Sequence, residues 1–268
     1  MTEGERWTLE ALADLRASRF TPRAWSVFLA RSFARARENR RERKREHRQT
    51  LGLGAAGLVA WAAVAVAVGP GLALAGAAWW LLVVLMLSWH LGMLERPDGA
   101  PVRGLGLANV LTLARAAFVP AVLVLAGDWL AAILIAGGTT DVLDGWVARA
   151  RDEGTRLGFW LDGAVDGLFL GAAAVALLRA GLLPAWAATL LLARYALPWL
   201  VLGATYFALG RAAERERVVS ARLPGVVLFA GLVLLALDVT AGTALVAAGA
   251  LGGLAALGAS VARKPLAS

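Results

Sequence analysis

Apolar segments of about 20 residues recur along the chain from residue 51 onward, separated by short polar connections. That length is what a helix needs to cross the hydrocarbon core of a bilayer. The pattern predicts an all-α fold, a polytopic membrane helix bundle. We place about eight spans at 51–69, 72–94, 106–126, 129–147, 157–178, 184–207, 223–240 and 242–262.

A polar, strongly basic arm precedes the first apolar segment. Residues 1–50 contain 13 of the 27 lysines and arginines and no apolar run of the kind that a cleaved signal peptide needs. Thr21-Pro22 predicts a helix start, after which apolar residues recur on one face and arginines fill the rest. We expect this amphipathic helix to lie on the membrane surface and residues 40–48 to form a solvated tail. The apolar face consists of Trp25, Phe28, Leu29 and Phe33.

The composition supports a membrane protein and argues against several kinds of site. Hydrophobic residues make up 59% of the chain, the mean hydropathy is +0.67 and the net charge is +8. Because there is no cysteine and only His47 and His90 as histidines, disulfides are excluded and a zinc site is hard to assemble. The positive charge suits anionic lipid headgroups. No pattern typical of RNA or DNA binding occurs, so we expect no nucleic-acid partner.

The positive charges also predict an orientation. The connections after spans one, three, five and seven contain a single basic residue, Arg179. Those after spans two, four and six contain many, namely Arg96, Arg103, Arg149, Arg151, Arg156, Arg211, Arg215, Arg217 and Arg222. The positive-inside rule then places both termini in the cytoplasm of a cell whose inner membrane holds the protein.

Four aspartates stand out in an otherwise apolar part of the chain. Asp141 and Asp144 are three residues apart and Asp162 and Asp166 are four apart, so each pair shares one face of a helix. Carboxylates crowded together without a counter-charge repel one another, whereas one or two divalent cations would let all four stay ionised. Since oxygen ligands favour magnesium, manganese or calcium over zinc, the spacing predicts a divalent-metal site.

The residues between the two pairs suit a phosphate ester. Gly145 and Ala148 leave a nearly bare strip of helix for a ligand to approach, and Arg149 offers a planar fork to phosphate oxygens. With Gly158, the stretch from Asp141 to Asp166 reads D-x2-D-G-x2-A-R-x8-G-x3-D-x3-D. It resembles the signature of the CDP-alcohol phosphotransferase family, with every fixed position occupied.

This resemblance implies an activity and a set of residue roles. The activity is transfer of a phosphatidyl group from CDP-diacylglycerol to an alcohol, with release of CMP. Two Mg²⁺ or Mn²⁺ ions would be held by Asp141, Asp144, Asp162 and Asp166, and Asp166 is the candidate general base. The resemblance assigns Gly145, Ala148, Arg149, Thr155 and Gly158 to the nucleotide, although a helix N-cap explains Thr155 equally well. It also implies a homodimer.

Polar residues elsewhere in the core extend the candidate site. Asn109, Thr112 and Arg115 form one stripe at the start of the third span, resembling the N-x-x-T-x-x-R of bacterial phosphatidylglycerophosphate synthases. Arg194 lies deep in the sixth span and is expected to face a cavity. Two arginines of the next loop, Arg211 and Arg222, are further candidates for binding the acceptor, although topology alone explains them.

The resemblance covers about residues 105–262, which suggests three domains. We predict a basic arm at 1–50, two accessory spans at 51–95 and a six-span catalytic core at 96–268. Glycerol 3-phosphate is the first acceptor to consider, with inositol phosphate and phosphatidylglycerol as others. A prenyltransferase that binds a diphosphate through Asp-x-x-Asp pairs, a carboxylate-lined metal or solute transporter, and a catalytically silent member stay open as alternatives.

Overall fold

The structure, a computed structural model, describes residues 2–210 and 222–263, with side chains to residue 260. Within these residues the regular structure is helical, and the one extended feature is an isolated bridge between Glu95 and Pro101. The α-helices are α1 (Glu3–Ala17), α2 (Pro22–Glu42), α3 (Lys44–Ala67), α4 (Pro70–Trp89), α5 (Leu107–Ala117), α6 (Val119–Val124), α7 (Gly127–Ala150), α8 (Arg156–Arg179), α9 (Ala185–Gly203), α10 (Arg222–Ala236) and α11 (Gly242–Arg263). A 3-10 turn at Leu91–Met93 follows α4, and a π-helix at Ala204–Leu209 continues α9.

Seven of the described helical segments are long and apolar enough to cross a bilayer, so the predicted polytopic all-α fold is confirmed. They are α3, α4, α5 with α6, α7, α8, α9 with its π-helix, and α11. The eighth predicted span, at 223–240, falls on α10, which has 15 residues in the described part of the chain. Its rise is about 22 Å, less than the roughly 30 Å of a hydrocarbon core. The predicted number of spans is therefore one more than the described helices supply.

The chain divides into two compact units. Unit 1 takes in the described residues of Met1–Pro120, Thr140–Val165 and Gly203–Ala212. Unit 2 takes in those of Ala121–Thr139, Asp166–Leu202 and Ala213–Ser268.

The basic arm in unit 1 is more ordered than the sequence predicts. The predicted start at Thr21-Pro22 is confirmed, because the Thr21 side chain caps α2 and Pro22 is its first residue. An additional helix, α1, begins with a capping box between Thr2 and Glu5. The expectation of an unstructured tail at 40–48 is wrong, since that stretch contains the end of α2 and the first turns of α3, although most of its side chains are exposed to solvent.

Helices α3 and α4 pack through a reciprocal exchange of tryptophan and glycine. A Cβ on Gly57 of α3 would lie 2.1 Å from Trp80 Nε1, and one on Gly76 of α4 would lie 2.3 Å from the Trp61 ring. The Trp80 indole donates to the Gly54 carbonyl at 3.0 Å, so its polar N–H is satisfied while the ring is buried. These glycines are required by the close approach of a large ring.

Replacing Gly57 by alanine should therefore destabilise the protein by about 1–3 kcal/mol, because the buried Trp80 ring must move to admit a methyl group. Thermal unfolding of the purified protein in detergent, followed by tryptophan fluorescence, measures this loss. Gly52→Ala on the same helix is the matched control, since a Cβ there meets nothing within 4 Å. Equal unfolding temperatures for the two variants would contradict the packing role of Gly57.

The break between α5 and α6 has a clear cause in unit 1. Pro120 has no N–H and so leaves the Ala116 carbonyl without its usual helical donor. The Trp79 indole N–H donates to that carbonyl at 2.8 Å. The helix is therefore interrupted at Phe118 while the Ala116 carbonyl keeps a partner.

Unit 2 is built around close contacts at glycine. A Cβ on Gly231 of α10 would lie 2.7 Å from the Gly242 carbonyl of α11, and one on Gly249 would lie 2.5 Å from the Pro224 carbonyl. The Phe169 ring of α8 occupies the space beside Gly137 of α7. Small residues thus let these backbones approach one another, as is common where helices associate in a membrane.

Candidate active site

Three of the four predicted aspartates come together in unit 1. Asp141 and Asp144 lie one turn apart on α7, and Asp162 lies on α8. Each offers a carboxylate oxygen within 4.8 Å of the other two. The Asp144 side chain is buried, at 5% exposure, whereas those of Asp141 and Asp162 are 47% and 41% exposed. The three-aspartate group is therefore buried at Asp144 and accessible to solvent at Asp141 and Asp162.

Arg115 of α5 lies among these carboxylates. Its Nη1 is 2.5 Å from Asp141 Oδ1, and its Nη2 is 2.9 Å from Asp162 Oδ1 and 3.8 Å from Asp144 Oδ2. The Arg115 side chain is only 2% exposed. The sequence analysis predicts charge compensation by cations alone and places Arg115 among the residues that extend the candidate site, whereas in the structure this guanidinium supplies positive charge to all three aspartates.

Thr112 completes the stripe on α5. Its hydroxyl donates to Asp144 Oδ2 at 2.8 Å and lies 3.2 Å from the Ala108 carbonyl of its own helix. Because this bond fixes one oxygen of a buried carboxylate, Thr112 orients Asp144 toward the other two aspartates.

The ligand set fits a hard divalent cation. The three carboxylates are oxygen donors, two of them are open to an incoming ion, and their separation is small enough for one ion to be shared. No histidine or cysteine belongs to the group, which argues against zinc.

Asn109, Thr155 and Gly158 form a second cluster beside α8. The Thr155 hydroxyl accepts from the Gly158 N–H at 2.9 Å and so caps α8, and Asn109 Nδ2 lies 3.5 Å from the same hydroxyl. Asn109 also donates to the Leu105 carbonyl at 2.6 Å. A Cβ on Gly158 would lie 2.6 Å from Asn109 Oδ1, which explains why glycine is needed at this position.

The strip after Asp144 has the bare surface that the sequence predicts. Gly145 and Ala148 are half-buried, and Arg149 is exposed. A Cβ on Gly145 would lie 3.2 Å from Arg149 Nη1, so the guanidinium lies over the glycine. The strip therefore combines an open backbone with one positive charge.

The group of three aspartates does not include the remaining predicted site residues. Asp166 is half-buried one turn after Asp162 on α8 and belongs to unit 2. Arg194 of α9 donates to the Gly249 carbonyl of α11 and its guanidinium carbon lies 5.4 Å from the centre of the Tyr195 ring. Arg222 is exposed at the start of α10, and Arg211 lies outside the described residues.

A buried ion-pair cluster that the sequence did not reveal holds the start of α8. Arg156, between the motif residues Thr155 and Gly158, is 7% exposed and donates to Thr2 and Glu5 of the basic arm. It also donates to Glu95 Oε1 at 3.1 Å, and its backbone N–H donates to the Glu95 carbonyl at 2.9 Å. The sequence showed Arg156 only as one more loop arginine, because partners 61 and 151 positions away leave no periodic signal.

Comparison with known proteins gives an independent indication of what this site is. Residues 105–257 match the model of a family described as CDP-alcohol phosphatidyltransferase. A putative cardiolipin synthase of Mycobacterium tuberculosis is 36% identical over 100 residues, covering 35% of this chain and 48% of that protein. A cardiolipin synthase (CMP-forming) of Streptomyces coelicolor is 34% identical over 111 residues, covering 38% and 52%. The matches thus span about half the length of these relatives, and no solved structure matches significantly.

Proposed function

Because the chain belongs to the CDP-alcohol phosphatidyltransferase family, we propose that it transfers a phosphatidyl group from CDP-diacylglycerol to an alcohol and releases CMP. The observation that carries this proposal is the group of Asp141, Asp144 and Asp162, which lies within the matched region at the polar end of two membrane helices. Carboxylates in a membrane span are costly and normally functional. A group of three carboxylates is suited to bind divalent cations that in turn bind a diphosphate.

In this proposal Asp141, Asp144 and Asp162 hold two Mg²⁺ or Mn²⁺ ions, with Asp166 as a further ligand. Bound there, the ions would offset negative charge on the diphosphate of the substrate as CMP departs. Thr112 keeps the Asp144 carboxylate in place, and Arg115 balances the charge of the three aspartates. These two residues therefore position the metal ligands.

The nucleotide would lie along the strip between the carboxylate pairs. Gly145 and Ala148 let its phosphates approach the α7 backbone, and Arg149 binds a phosphate oxygen. Gly158 and Asn109 keep the start of α8 close to α5, while Thr155 caps α8 at that point. The helix-capping role explains the presence of Thr155 without any contact to a ligand. A contact between Thr155 and a phosphate is therefore a secondary part of the proposal.

The reaction needs one proton to be removed. The acceptor hydroxyl oxygen attacks the phosphorus on the lipid side of the diphosphate, and the bond from that phosphorus to the bridging oxygen breaks. CMP leaves with the electron pair, and the Asp166 carboxylate takes the proton of the hydroxyl. Asp166 is suited to this role because it lies one turn beyond Asp162 on the same helix.

Asp166→Asn should lower CMP release by about 10²- to 10⁴-fold, because asparagine cannot accept the proton. The assay mixes the purified protein with radiolabelled CDP-diacylglycerol, Mg²⁺ and a candidate alcohol. It measures both the release of CMP and the amount of CDP-diacylglycerol bound to the protein. Binding of CDP-diacylglycerol should stay near the wild-type level. Asp238→Asn, at an exposed loop position, is the control.

A near wild-type rate for Asp166→Asn would remove Asp166 from the base role while leaving the transfer reaction in place. Release of pyrophosphate instead of CMP would indicate a prenyltransferase. Metal flux into liposomes without any nucleotide would indicate a transporter.

Two acceptors have specific support. The names of the relatives favour phosphatidylglycerol, the acceptor of a cardiolipin-type reaction. The Asn109, Thr112 and Arg115 stripe suggested glycerol 3-phosphate, but Arg115 and Thr112 contact the aspartates, which weakens that suggestion. We therefore place phosphatidylglycerol first. Parallel incubations with each alcohol would separate the two by the mass of the lipid product.

The location of the reaction is also a proposal. The excess of arginine in alternate connections favours the cell membrane with the carboxylate group and the basic arm on the cytoplasmic side. The predicted location of both termini on that side requires an even number of spans, so it holds only if α10 crosses the bilayer as well as the seven longer segments. Arg194, Arg211 and Arg222 remain candidates for binding an anionic acceptor there. The three-domain division and the homodimer likewise remain proposals from family resemblance.

A further inference from the structure

An open groove of about 580 Å³ lies in unit 1 between α3 and the segment leading into α5. Its polar end is formed by Arg45, Gln49 and Arg103, and its apolar part includes Leu53, Ala56 and Val110. None of the residues lining it belongs to the stretch from Asp141 to Asp166. The groove is therefore a feature separate from the carboxylate group.

Two arginines give the groove positive charge, and the neighbouring acid Glu153 is bound to backbone N–H groups, accepting from Leu107 at 2.9 Å and from Ala108 at 3.4 Å. Arg45 and Arg103 are exposed, and neither makes an ion pair with a carboxylate among residues 2–210 and 222–263. No aspartate or glutamate is among the described residues that line the groove. Two guanidinium groups that line the same groove without an ion-pair partner among the described residues favour binding of an anion. Phosphate suits them because its oxygens match the planar fork of donors on arginine.

The wall that carries Arg103 is held firmly against α3. The Gly104 N–H donates to Glu46 Oε1 at 2.7 Å, and the Leu105 N–H donates to Gln49 Oε1 at 3.0 Å. Glu46 is buried, and its carboxylate accepts this hydrogen bond from the backbone. The groove is thus a preformed surface, and its charge comes from the two arginines.

The position of the groove along the helices identifies the kind of ligand. Both α3 and α5 begin membrane-spanning segments, at Lys44 and Leu107. Arg45 and Arg103 lie near these starts, where headgroups are found, while Leu53, Ala56 and Val110 lie further into the spans. A Cβ on Gly52 would meet nothing within 4 Å, so the middle of the groove is open to a chain of methylene groups. A charged end and an apolar course match a phospholipid with an anionic headgroup.

We propose that this groove binds an anionic phospholipid of the bilayer, with its phosphate at Arg45 and Arg103 and one acyl chain along Gly52 and Ala56. The site does not depend on the catalytic proposal, since none of its residues has a role in the transfer reaction. It gives the first accessory span a function, because α3 supplies one side of the groove.

Native mass spectrometry of the full-length protein in neutral detergent tests the proposal. The probes are phosphatidylserine, an anionic phospholipid that is not among the proposed acceptors, and phosphatidylcholine, titrated separately. Wild-type protein should retain phosphatidylserine in preference to phosphatidylcholine. The double variant Arg45→Gln, Arg103→Gln should bind phosphatidylserine about thirtyfold more weakly, since each arginine near an anionic surface contributes about a fivefold effect. CMP release should be unchanged, which separates failure here from failure of the proposed function.

Two further variants make the result specific. Arg23→Gln with Arg48→Gln removes the same charge from exposed positions outside the groove and should leave retention of phosphatidylserine near the wild-type value. Gly52→Phe keeps both arginines but fills the groove and should lower retention at least tenfold. Equal losses in the two double variants, or equal retention of both lipids by the wild type, would overturn the proposal. Displacement of phosphatidylserine by millimolar inorganic phosphate would instead make it a site for a soluble phosphate, and would equally overturn it.

Discussion

Asp144→Asn is expected to reduce CMP release by at least about a hundredfold, because even residues that only orient metal ligands contribute about 10- to 100-fold. Asp144 is the buried member of the three carboxylates and the one fixed by a hydroxyl. Asparagine has the same shape and can still accept from Thr112, but it brings no negative charge to a bound cation. The loss should therefore appear in catalysis and metal affinity much more than in folding.

The measurement is the rate of CMP release as a function of Mg²⁺ concentration, with wild type and variant purified side by side. The variant should need more Mg²⁺ to reach its own maximum rate, and that maximum should itself be lower. Asp128→Asn is the matched control, because Asp128 is on the same helix but is exposed at its first turn. An unchanged Mg²⁺ dependence in Asp144→Asn would contradict its assignment as a ligand.

The sequence predicted the parts of this protein that are local in the chain. Spans could be read from runs of apolar residues, since bilayer thickness fixes their length. The start of α2 followed from Thr21-Pro22, because capping involves neighbouring residues. The pairing of Asp141 with Asp144 followed in the same way from helical spacing.

What the sequence missed depends on contacts between distant segments. One example is the cluster in which Arg156 forms ion pairs with Glu5 of α1 and with Glu95. The spacing of these three residues along the chain has no pattern that predicts a contact. Arg115 was placed correctly on a polar stripe, but helical spacing shows which residues share a face and not what that face meets. For the same reason the sequence could assign Arg115 to a ligand, whereas the structure places it among the aspartates.

Replacing Arg115 is the second change for which we expect a large effect, here on the stability of the protein. Arg115→Met keeps a side chain of similar length but leaves three neighbouring carboxylates without this guanidinium. Removing one partner from a buried ion pair costs about 3–5 kcal/mol, and the partial exposure of Asp141 and Asp162 places the expected loss near 3 kcal/mol. In a chelator, the variant should therefore unfold at a clearly lower temperature than the wild type.

Mg²⁺ should restore much of this stability, because a bound divalent ion supplies positive charge where Arg115 no longer does. Unfolding temperatures measured with a chelator and with Mg²⁺ should thus differ more for Arg115→Met than for the wild type. Arg48→Met, at an exposed position of α3, is the control and should show the wild-type difference. Equal stabilisation of wild type and Arg115→Met by Mg²⁺ would contradict the idea that the ion takes over the charge of Arg115. If Mg²⁺ stabilised neither protein, the three aspartates would not be a cation site.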